Sequence, residues 1–284
     1  MSTRGLWGFR KNGQDLLTYN HSDSYPSWLG KHICQFISDL MDEELDKFPD
    51  MLEPVDEDKP AAEGHIRFCK ELGVADFAVA SRKETDYYCL LRKTQGNFPF
   101  YEGLVKNPPE CLKGSKLPFI ISNSFILNSL FCEYAYIINM DKKCLEFWKG
   151  FQKKPYKGNR YGTEATDGYY PCRMLKAYAF TRIRKDGAEK TVADMAAEDA
   201  VCAIKDGGSI APEEVMDFVR WYIPEDEVDH HGNGNGMDDL YLKKTKVSDA
   251  IVRKLKPNSL VSTFVCQTDE SIWYDLPFLY SEKE

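Results

Sequence analysis

The chain has 284 residues, of which 43% are hydrophobic and 13% aromatic, which is enough apolar material for a sizeable buried core. Its 45 acidic and 37 basic side chains give a formal net charge of -8, which disfavours nonspecific binding to nucleic acid or to an anionic membrane. The sequence has no long apolar run and no signal-peptide pattern. We therefore expect a cytoplasmic protein without a cofactor, whose partner is a protein or a small molecule.

The cysteines predict reduced, buried thiols rather than a disulfide framework. They are odd in number, widely spaced and form no C-x-x-C pair, and most lie within apolar runs. The nine are Cys34, Cys69, Cys89, Cys111, Cys132, Cys144, Cys172, Cys202 and Cys266.

The first segment, "TRGLWGFRKNGQDLLTYNHSDSYP", predicts a β-hairpin. Asn12-Gly13 supplies the positive φ angles of a tight turn, and Trp7 and Phe9 fall on one face of the first strand. The polar cluster at 20–26 is typical of a turn that also caps a following helix. An apolar stripe at helical spacing then predicts a helix from Pro26 to about Met41.

The next part of the chain alternates between loops and short elements. Residues 42–63 are acidic and proline-rich and predict a solvated loop. A short helix at 65–72 precedes two predicted strands, "DFAVA" from Asp76 and "DYYCLLR" from Asp86. Four prolines between 95 and 118 predict an irregular connection.

A second hairpin is predicted in the block that begins at Leu130, with its turn at Asp141-Lys142-Lys143, and another strand begins at Arg173. Helical spacing follows at 191–205, 212–222 and 248–256, and the strand candidates "SLVSTFVCQ" and "SIWYDL" close the chain. We therefore predict an α+β fold, with an antiparallel, hairpin-rich core sheet and packed helices. Its parts are a core at 1–185, a helical subdomain or insertion at 186–258, and C-terminal strands at 259–284 that return to the core.

The N-terminus permits an enzymatic hypothesis. In N-terminal nucleophile hydrolases, a strand that starts with Thr, Ser or Cys leads into a hairpin, and an Asp or Asn after the second strand orients the site. Here Ser2 or Thr3 would be the nucleophile, activated by the free α-amine, and Asn20 or Asp23 would be the orienting group. The alternative is that the polar cluster only fixes the turn and caps the helix.

The acidic, glycine-rich segment "EDEVDHHGNGNGMDDL" suggests metal binding at His230 and His231. A calcium loop that starts at Asp229 would need a glutamate at its twelfth position, where Leu240 stands. Glycines 232, 234 and 236 also fit a helical zinc motif poorly. A surface loop is therefore the favoured interpretation, with no metal site assigned.

A basic-aromatic run, "FWKGFQKKPYKGNRYG", begins at Phe147. Alternating cations and aromatic rings are typical of protein interfaces, and they also suit stacked bases or phosphates. A plain exposed loop is the third interpretation. The predicted partner-binding residues are Trp148, Lys149, Lys153, Lys154, Tyr156, Lys157, Arg160 and Tyr161. The glycine-rich stretch 232–236 could add to this surface.

Two stretches, "TRGLWGF…YNHSDSYPSWLG" and "YAYIINMDKKCLEFWKGFQ…NRYG…GYYPC", together resemble a group of phage and microbial proteins. That group opens with a "TRG" strand and carries a "YNHxDSYPxxLG" signature. The resemblance covers about the first 170 residues and assigns no catalytic residue. It implies a phage setting, and hence a counter-defence protein in the host cytoplasm that binds and blocks a bacterial immune complex, as Gabija anti-defence proteins do.

The sequence thus favours a non-catalytic interaction protein, and a homo-oligomer is compatible with it. The alternatives are an amidohydrolase that uses Ser2 or Thr3 and a module that sequesters nucleotides. DNA and membranes are not expected as partners.

Overall fold

The structure, a computed structural model, describes residues 3–74, 86–92, 94, 96–107, 110, 115–206, 219, 223–232, 237–255, 264–267 and 272–279. The fold is α+β, with a mixed sheet that is mostly antiparallel. The chain divides into two units, Met1–Met195 and Ala196–Glu284.

Two hairpins and one further strand build the main sheet of the first unit. Its strands in chain order are β1 (Gly5–Lys11), β2 (Gln14–Asn20), β3 (Leu52–Val55), β4 (Leu117–Ile120), β5 (Tyr134–Asn139), β6 (Cys144–Lys149) and β7 (Arg173–Ala179). The five-stranded sheet has the order β2-β1-β5-β6-β7, and only the β1–β5 pair is parallel. Strands β3 and β4 form a separate parallel pair.

Helices pack on one face of this sheet. The helices of the first unit are α1 (Lys31–Asp39), α2 (Asp42–Lys47), α3 (Glu63–Glu71), α4 (Tyr87–Leu91), α5 (Phe98–Lys106) and α6 (Phe180–Asp186). The long helix α7 (Ala188–Asp206) begins in the first unit and ends in the second. Trp7 lies at the centre of the core on this face, in edge-to-face contact with Phe98, Tyr101 and Phe119. A smaller cluster that includes Leu6, Leu17, Ile137 and Trp148 covers the opposite face.

Both predicted hairpins are confirmed. Asn12 (φ 53°) and Gly13 (φ 74°) make the first turn, and Lys143 (φ 50°) lies in the second. The two turns also contact each other, because the Asp141 carboxylate accepts hydrogen bonds from the backbone N–H groups of Asn12 (2.7 Å) and Gly13 (2.9 Å).

The predicted helix from Pro26 to about Met41 is confirmed, as a π-type turn at Pro26–Gly30 followed by α1, and the predicted short helix at 65–72 is confirmed by α3. Other predictions for residues 42–118 are wrong. The predicted loop at 42–63 contains α2 and β3, and the predicted strand at 86 is α4. The stretch predicted to be irregular contains α5, since its proline at 99 occupies the first helical turn, where no backbone N–H is required. The "DFAVA" strand lies outside the described residues.

In the second unit, four strands form one antiparallel sheet. The elements are β8 (Val228–Gly232), β9 (Met237–Lys243), α8 (Lys246–Leu255), β10 (Phe264–Gln267) and β11 (Ile272–Leu279). The strand order is β10-β11-β9-β8. The segment predicted to be helical therefore contains two strands, and the C-terminal strand β11 pairs with β9. The predicted helix at 191–205 is confirmed by α7, whereas the one at 212–222 falls almost entirely outside the described residues.

Among the described residues, no helix is long and apolar enough to cross a membrane.

Candidate functional site

One end of the five-stranded sheet brings together the two sequence features that suggested function. Asn20 pairs with Gly5, Gly5 with Tyr134, Tyr134 with Lys149, and Lys149 with Arg173. This row crosses all five strands at the end where β2 and β6 finish and β1, β5 and β7 begin. The polar cluster after β2 and the basic-aromatic run after β6, more than a hundred residues apart in sequence, are therefore attached to the same end of the sheet.

Exposed apolar side chains are concentrated near this end. Phe151 is 43% exposed and Tyr156 is 47% exposed, although rings of this size are normally buried. Five exposed large hydrophobic residues of the described chain fall between positions 127 and 174: Leu127, Phe131, Phe151, Tyr156 and Met174. Exposed apolar groups that cluster in this way are typical of an interaction site.

Cations lie over the aromatic rings in the same region. The Arg4 guanidinium is 4.9 Å from the centre of the Phe131 ring. The Lys149 ammonium is 3.9 Å from the Tyr134 ring centre. Each contact is within the range of a cation–π interaction.

Two further pairs extend this surface along the segment after β6. The Lys153 ammonium is 3.3 Å from the centre of the Tyr169 ring, and the Arg173 guanidinium is 4.6 Å from that of Tyr156. Lys154 and Lys157 of the same segment are exposed. We call the whole surface the basic-aromatic end: Arg4, Phe131, Lys149, Phe151, Lys153, Lys154, Tyr156, Lys157 and Arg173.

Three of the predicted partner-binding residues instead belong to a network around the buried Glu146 carboxylate. Trp148 is 3% exposed, and its indole N–H donates to Glu146 Oε2 at 3.0 Å. Arg160 Nη1 lies 2.6 Å from the same carboxylate oxygen, and Glu146 is 2% exposed. The Asn139 amide donates to Glu146 Oε1 at 2.7 Å, so the buried carboxylate is fully engaged.

Tyr161 belongs to the same internal network. Its hydroxyl donates to Asp15 Oδ2 at 2.9 Å and accepts from Arg160 Nη2 at 3.0 Å. Arg10 Nη1 is 2.8 Å from the other oxygen of Asp15. Burial raises the pKa of Tyr161, which keeps the phenol protonated as a donor. The network joins the segment after β6 to β1, β2 and β6, and so holds the basic-aromatic end in place.

The first residues after β6 are held by backbone contacts. The Phe151 N–H donates to the Ser129 carbonyl at 2.7 Å, and the Gly150 N–H donates to the Glu133 carbonyl at 2.8 Å. A Cβ atom on Gly150 would lie 1.9 Å from the Cys132 carbonyl oxygen, so only glycine permits this approach.

The polar cluster after β2 forms a turn in which Ser24 is buried and His21, Ser22 and Asp23 are exposed. Ser24 is fully buried; its hydroxyl accepts from the Asn20 amide at 2.7 Å, and its carbonyl accepts from the Tyr136 hydroxyl at 2.9 Å. The turn prediction is confirmed, but the cap prediction is wrong, because no side chain caps the π-type turn at Pro26–Gly30. The bulky Tyr25 stands at the N-cap position instead.

The residues of the enzymatic hypothesis are arranged as follows. Ser2 lies outside the described residues. The Thr3 carbonyl accepts from the Ser24 N–H at 3.2 Å, and the Asn20 amide is directed to the Ser22 carbonyl and the Ser24 hydroxyl. Asp23 is exposed, with φ 56°. The role of Ser2 or Thr3 as a nucleophile stays a prediction.

The weak metal candidates lie in the second unit. His230 and His231 are in β8, paired with Leu240 and Asp239 of β9, and not in a loop. Residues 233–236 of the glycine-rich stretch lie outside the described residues. Within the described part of the chain, no group of three or more His, Cys, Asp or Glu residues is placed to hold a metal ion.

The sequence reasoning did not find Glu146, Asp15 or Asn139 as partners of the basic-aromatic run. Glu146 offered one signal, since it is a lone charge in the otherwise apolar strand "CLEFW". Asp15 offered none, because its contact with Arg160 and Tyr161 depends on the tertiary fold.

Comparisons with protein-family models, curated proteins and solved structures gave no match to this chain.

Proposed function

We propose that this is a non-catalytic interaction protein that binds an acidic protein surface through the basic-aromatic end. The observation that carries the proposal is the clustering of exposed rings, Phe131, Phe151 and Tyr156, with cations stacked on rings of the same surface. Aromatic residues and arginine are the side chains that contribute most to binding energy at protein interfaces.

The charge of the surface supports an acidic partner. The chain as a whole carries a net charge of -8, yet the basic-aromatic end gathers six cations: Arg4, Lys149, Lys153, Lys154, Lys157 and Arg173. A basic surface on an acidic protein attracts an acidic partner and orients it as it approaches. The partner class that we propose, following the resemblance, is a bacterial immune complex blocked by a phage protein in the host cytoplasm.

The internal network supports a preformed surface. The segment after β6 is held in the unbound protein by the contacts among Glu146, Arg160 and Tyr161. A segment that is already ordered loses less conformational entropy on binding.

Native mass spectrometry of the C-terminally tagged protein from bacterial lysate tests the proposal. We expect a protein partner at a fixed stoichiometry, released by salt because the contact is largely electrostatic. A bound nucleotide of defined mass would favour the sequestering module instead. A protein that carries neither, and that cleaves amides only after Met1 is removed, would favour the N-terminal nucleophile and contradict the proposal.

A further inference from the structure

Two buried cysteines meet beneath the basic-aromatic end. The Cys172 thiol donates to the Cys132 carbonyl at 3.3 Å, and the Cys132 thiol donates to the Tyr134 carbonyl at 3.6 Å. Both residues are fully buried, and neither is in a disulfide. Five further cysteines, Cys34, Cys69, Cys89, Cys144 and Cys202, are also buried and outside any disulfide.

The backbone on each side of this pair is fixed. The Cys132 N–H donates to the Asn128 carbonyl at 3.0 Å, and the Cys172 N–H donates to the Ile126 carbonyl at 3.0 Å. The two cysteines therefore belong to one packed layer with the short segment before β5. They also stand at the two ends of residues 132–172, a stretch that contains β5, β6 and most of the basic-aromatic end.

We propose that Cys132 and Cys172 form a disulfide when the protein is exposed to a peroxide. This bond would cross-link the two ends of the stretch 132–172, beneath the basic-aromatic end. Position, not exposure, favours the reaction, because the Cys172 thiol already contacts Cys132 and a bond between the two residues requires no long-range movement. The inference is independent of which partner the surface binds.

The reaction balances with hydrogen peroxide as the oxidant. One thiolate attacks the O–O bond, which gives a sulfenic acid and one water molecule; the second thiol then displaces the hydroxyl group from sulfur as a second water molecule. The two sulfurs lose two electrons, and the peroxide gains them. Burial raises the pKa of the Cys132 thiol, so we expect the oxidation to be slow and to accelerate at alkaline pH.

The bond would act mainly on the unfolded chain. Cross-linking residues 40 positions apart removes much of the conformational freedom of that stretch when the protein unfolds. The oxidised protein should therefore melt several degrees higher than the reduced protein.

Tryptic mapping of the full-length chain tests this directly, because cleavage isolates each cysteine. Cys132 is the one cysteine of peptide 117–142, and Cys172 is the one cysteine of peptide 161–173. The protein is incubated with hydrogen peroxide at pH 8, free thiols are alkylated under denaturing conditions, and the digest is analysed by mass spectrometry. We expect a joined peptide about 2 Da lighter than the sum of the two, from the loss of two hydrogens.

Two variants control the mapping. Cys172→Ala should abolish the joined peptide and the rise in melting temperature, whereas Cys34→Ala, which removes a buried thiol elsewhere, should leave both unchanged. The proposal is overturned if peptides 117–142 and 161–173 of the wild-type protein are fully alkylated after prolonged oxidation, or if Cys132 is joined to a different cysteine. Because the decisive spectrum is that of the wild-type protein, the test does not depend on the folding of a variant.

Discussion

Arg160 Nη1 lies 2.6 Å from Glu146 Oε2, and this ion pair joins the segment after β6 to the middle of the main sheet. The Arg160 side chain is 25% exposed, whereas that of Glu146 is 2% exposed. The partly exposed Arg160 guanidinium thus covers the buried Glu146 carboxylate. The basic-aromatic run therefore has two layers of residues. The inner layer anchors the run to the sheet, and the outer layer is available to a partner.

Replacing Arg160 with alanine should destabilise the protein strongly. Glu146 would keep its hydrogen bonds from Asn139 and Trp148 but would lose its cation, and leaving a buried charge unpaired costs about 3 kcal/mol. Urea unfolding followed by tryptophan fluorescence measures this change. The matched control is Lys154→Ala in the exposed outer layer, for which we expect a change below about 0.5 kcal/mol. Equal stability of the two variants would refute the anchoring role.

Two glycine substitutions should have opposite effects. Gly150→Ala places a Cβ atom 1.9 Å from a backbone carbonyl, so the chain must shift, and we expect a loss of about 3 kcal/mol. Gly103→Ala lies within α5 with no atom within 4 Å of the new Cβ, and should stabilise the protein by about 0.5 to 1 kcal/mol. Thermal unfolding of both variants checks the prediction, and a stable Gly150→Ala protein would contradict the close approach.

The turn after β2 should depend on Tyr136. Tyr136→Phe removes the hydroxyl that donates to the Ser24 carbonyl and leaves that buried acceptor without this donor, at a cost of about 1 kcal/mol. Tyr156→Phe, at an exposed ring, is the control and should be neutral. Chemical denaturation distinguishes the two. No loss of stability in Tyr136→Phe would show that the turn does not rely on this hydrogen bond.

The contribution of Asp42 to stability should disappear in acid. Arg184 donates to its carboxylate at 2.8 Å and Lys143 lies 3.1 Å away, and these contacts lower the pKa of Asp42 below its ordinary value. A carboxylate whose pKa is lower in the folded state contributes fully above the unfolded pKa, near 4, and the contribution is lost as the pH falls through the folded pKa. The wild-type protein should therefore exceed Asp42→Asn in urea midpoint at pH 7.

That difference should shrink below about pH 4, as the carboxylate becomes protonated in the folded protein. Glu43→Gln, at an exposed carboxylate of the same helix, is the control and should show a smaller difference at pH 7. A gap between wild type and Asp42→Asn that is as large at pH 3 as at pH 7 would exclude the ionic contribution.

Local chemistry explains which elements were predictable. The Asn12-Gly13 turn was predictable because its φ angles are a property of those two residues. The short apolar run at 87–91 fits either periodicity, so the sequence predicts a strand where the structure has α4, a helix that depends on its packing. The hairpin of β8 and β9 was missed because its acids and glycines resemble a loop, whereas the strands are held by their pairing with each other and with β11.

The candidate site was only partly predictable for the same reason. The sequence shows that Lys149, Lys153 and Arg160 alternate with aromatic residues, but not which of them face inward. That division depends on Glu146 and Asp15, which reach Arg160 only in the folded chain. Long-range ion pairs leave no local pattern, so inner and outer layers could not be separated before the structure.

The most direct measurement compares proteins captured from bacterial lysate by the wild type and by two charge-reversed variants, with quantitative mass spectrometry. One variant carries Lys153→Glu, Lys154→Glu and Lys157→Glu on the basic-aromatic end; the other carries Lys116→Glu, Lys142→Glu and Lys185→Glu at exposed positions elsewhere. Both change the net charge equally. The proposed function predicts a stoichiometric partner that the first variant loses and the second retains. Equal capture by all three proteins, or equal loss by both variants, would contradict it.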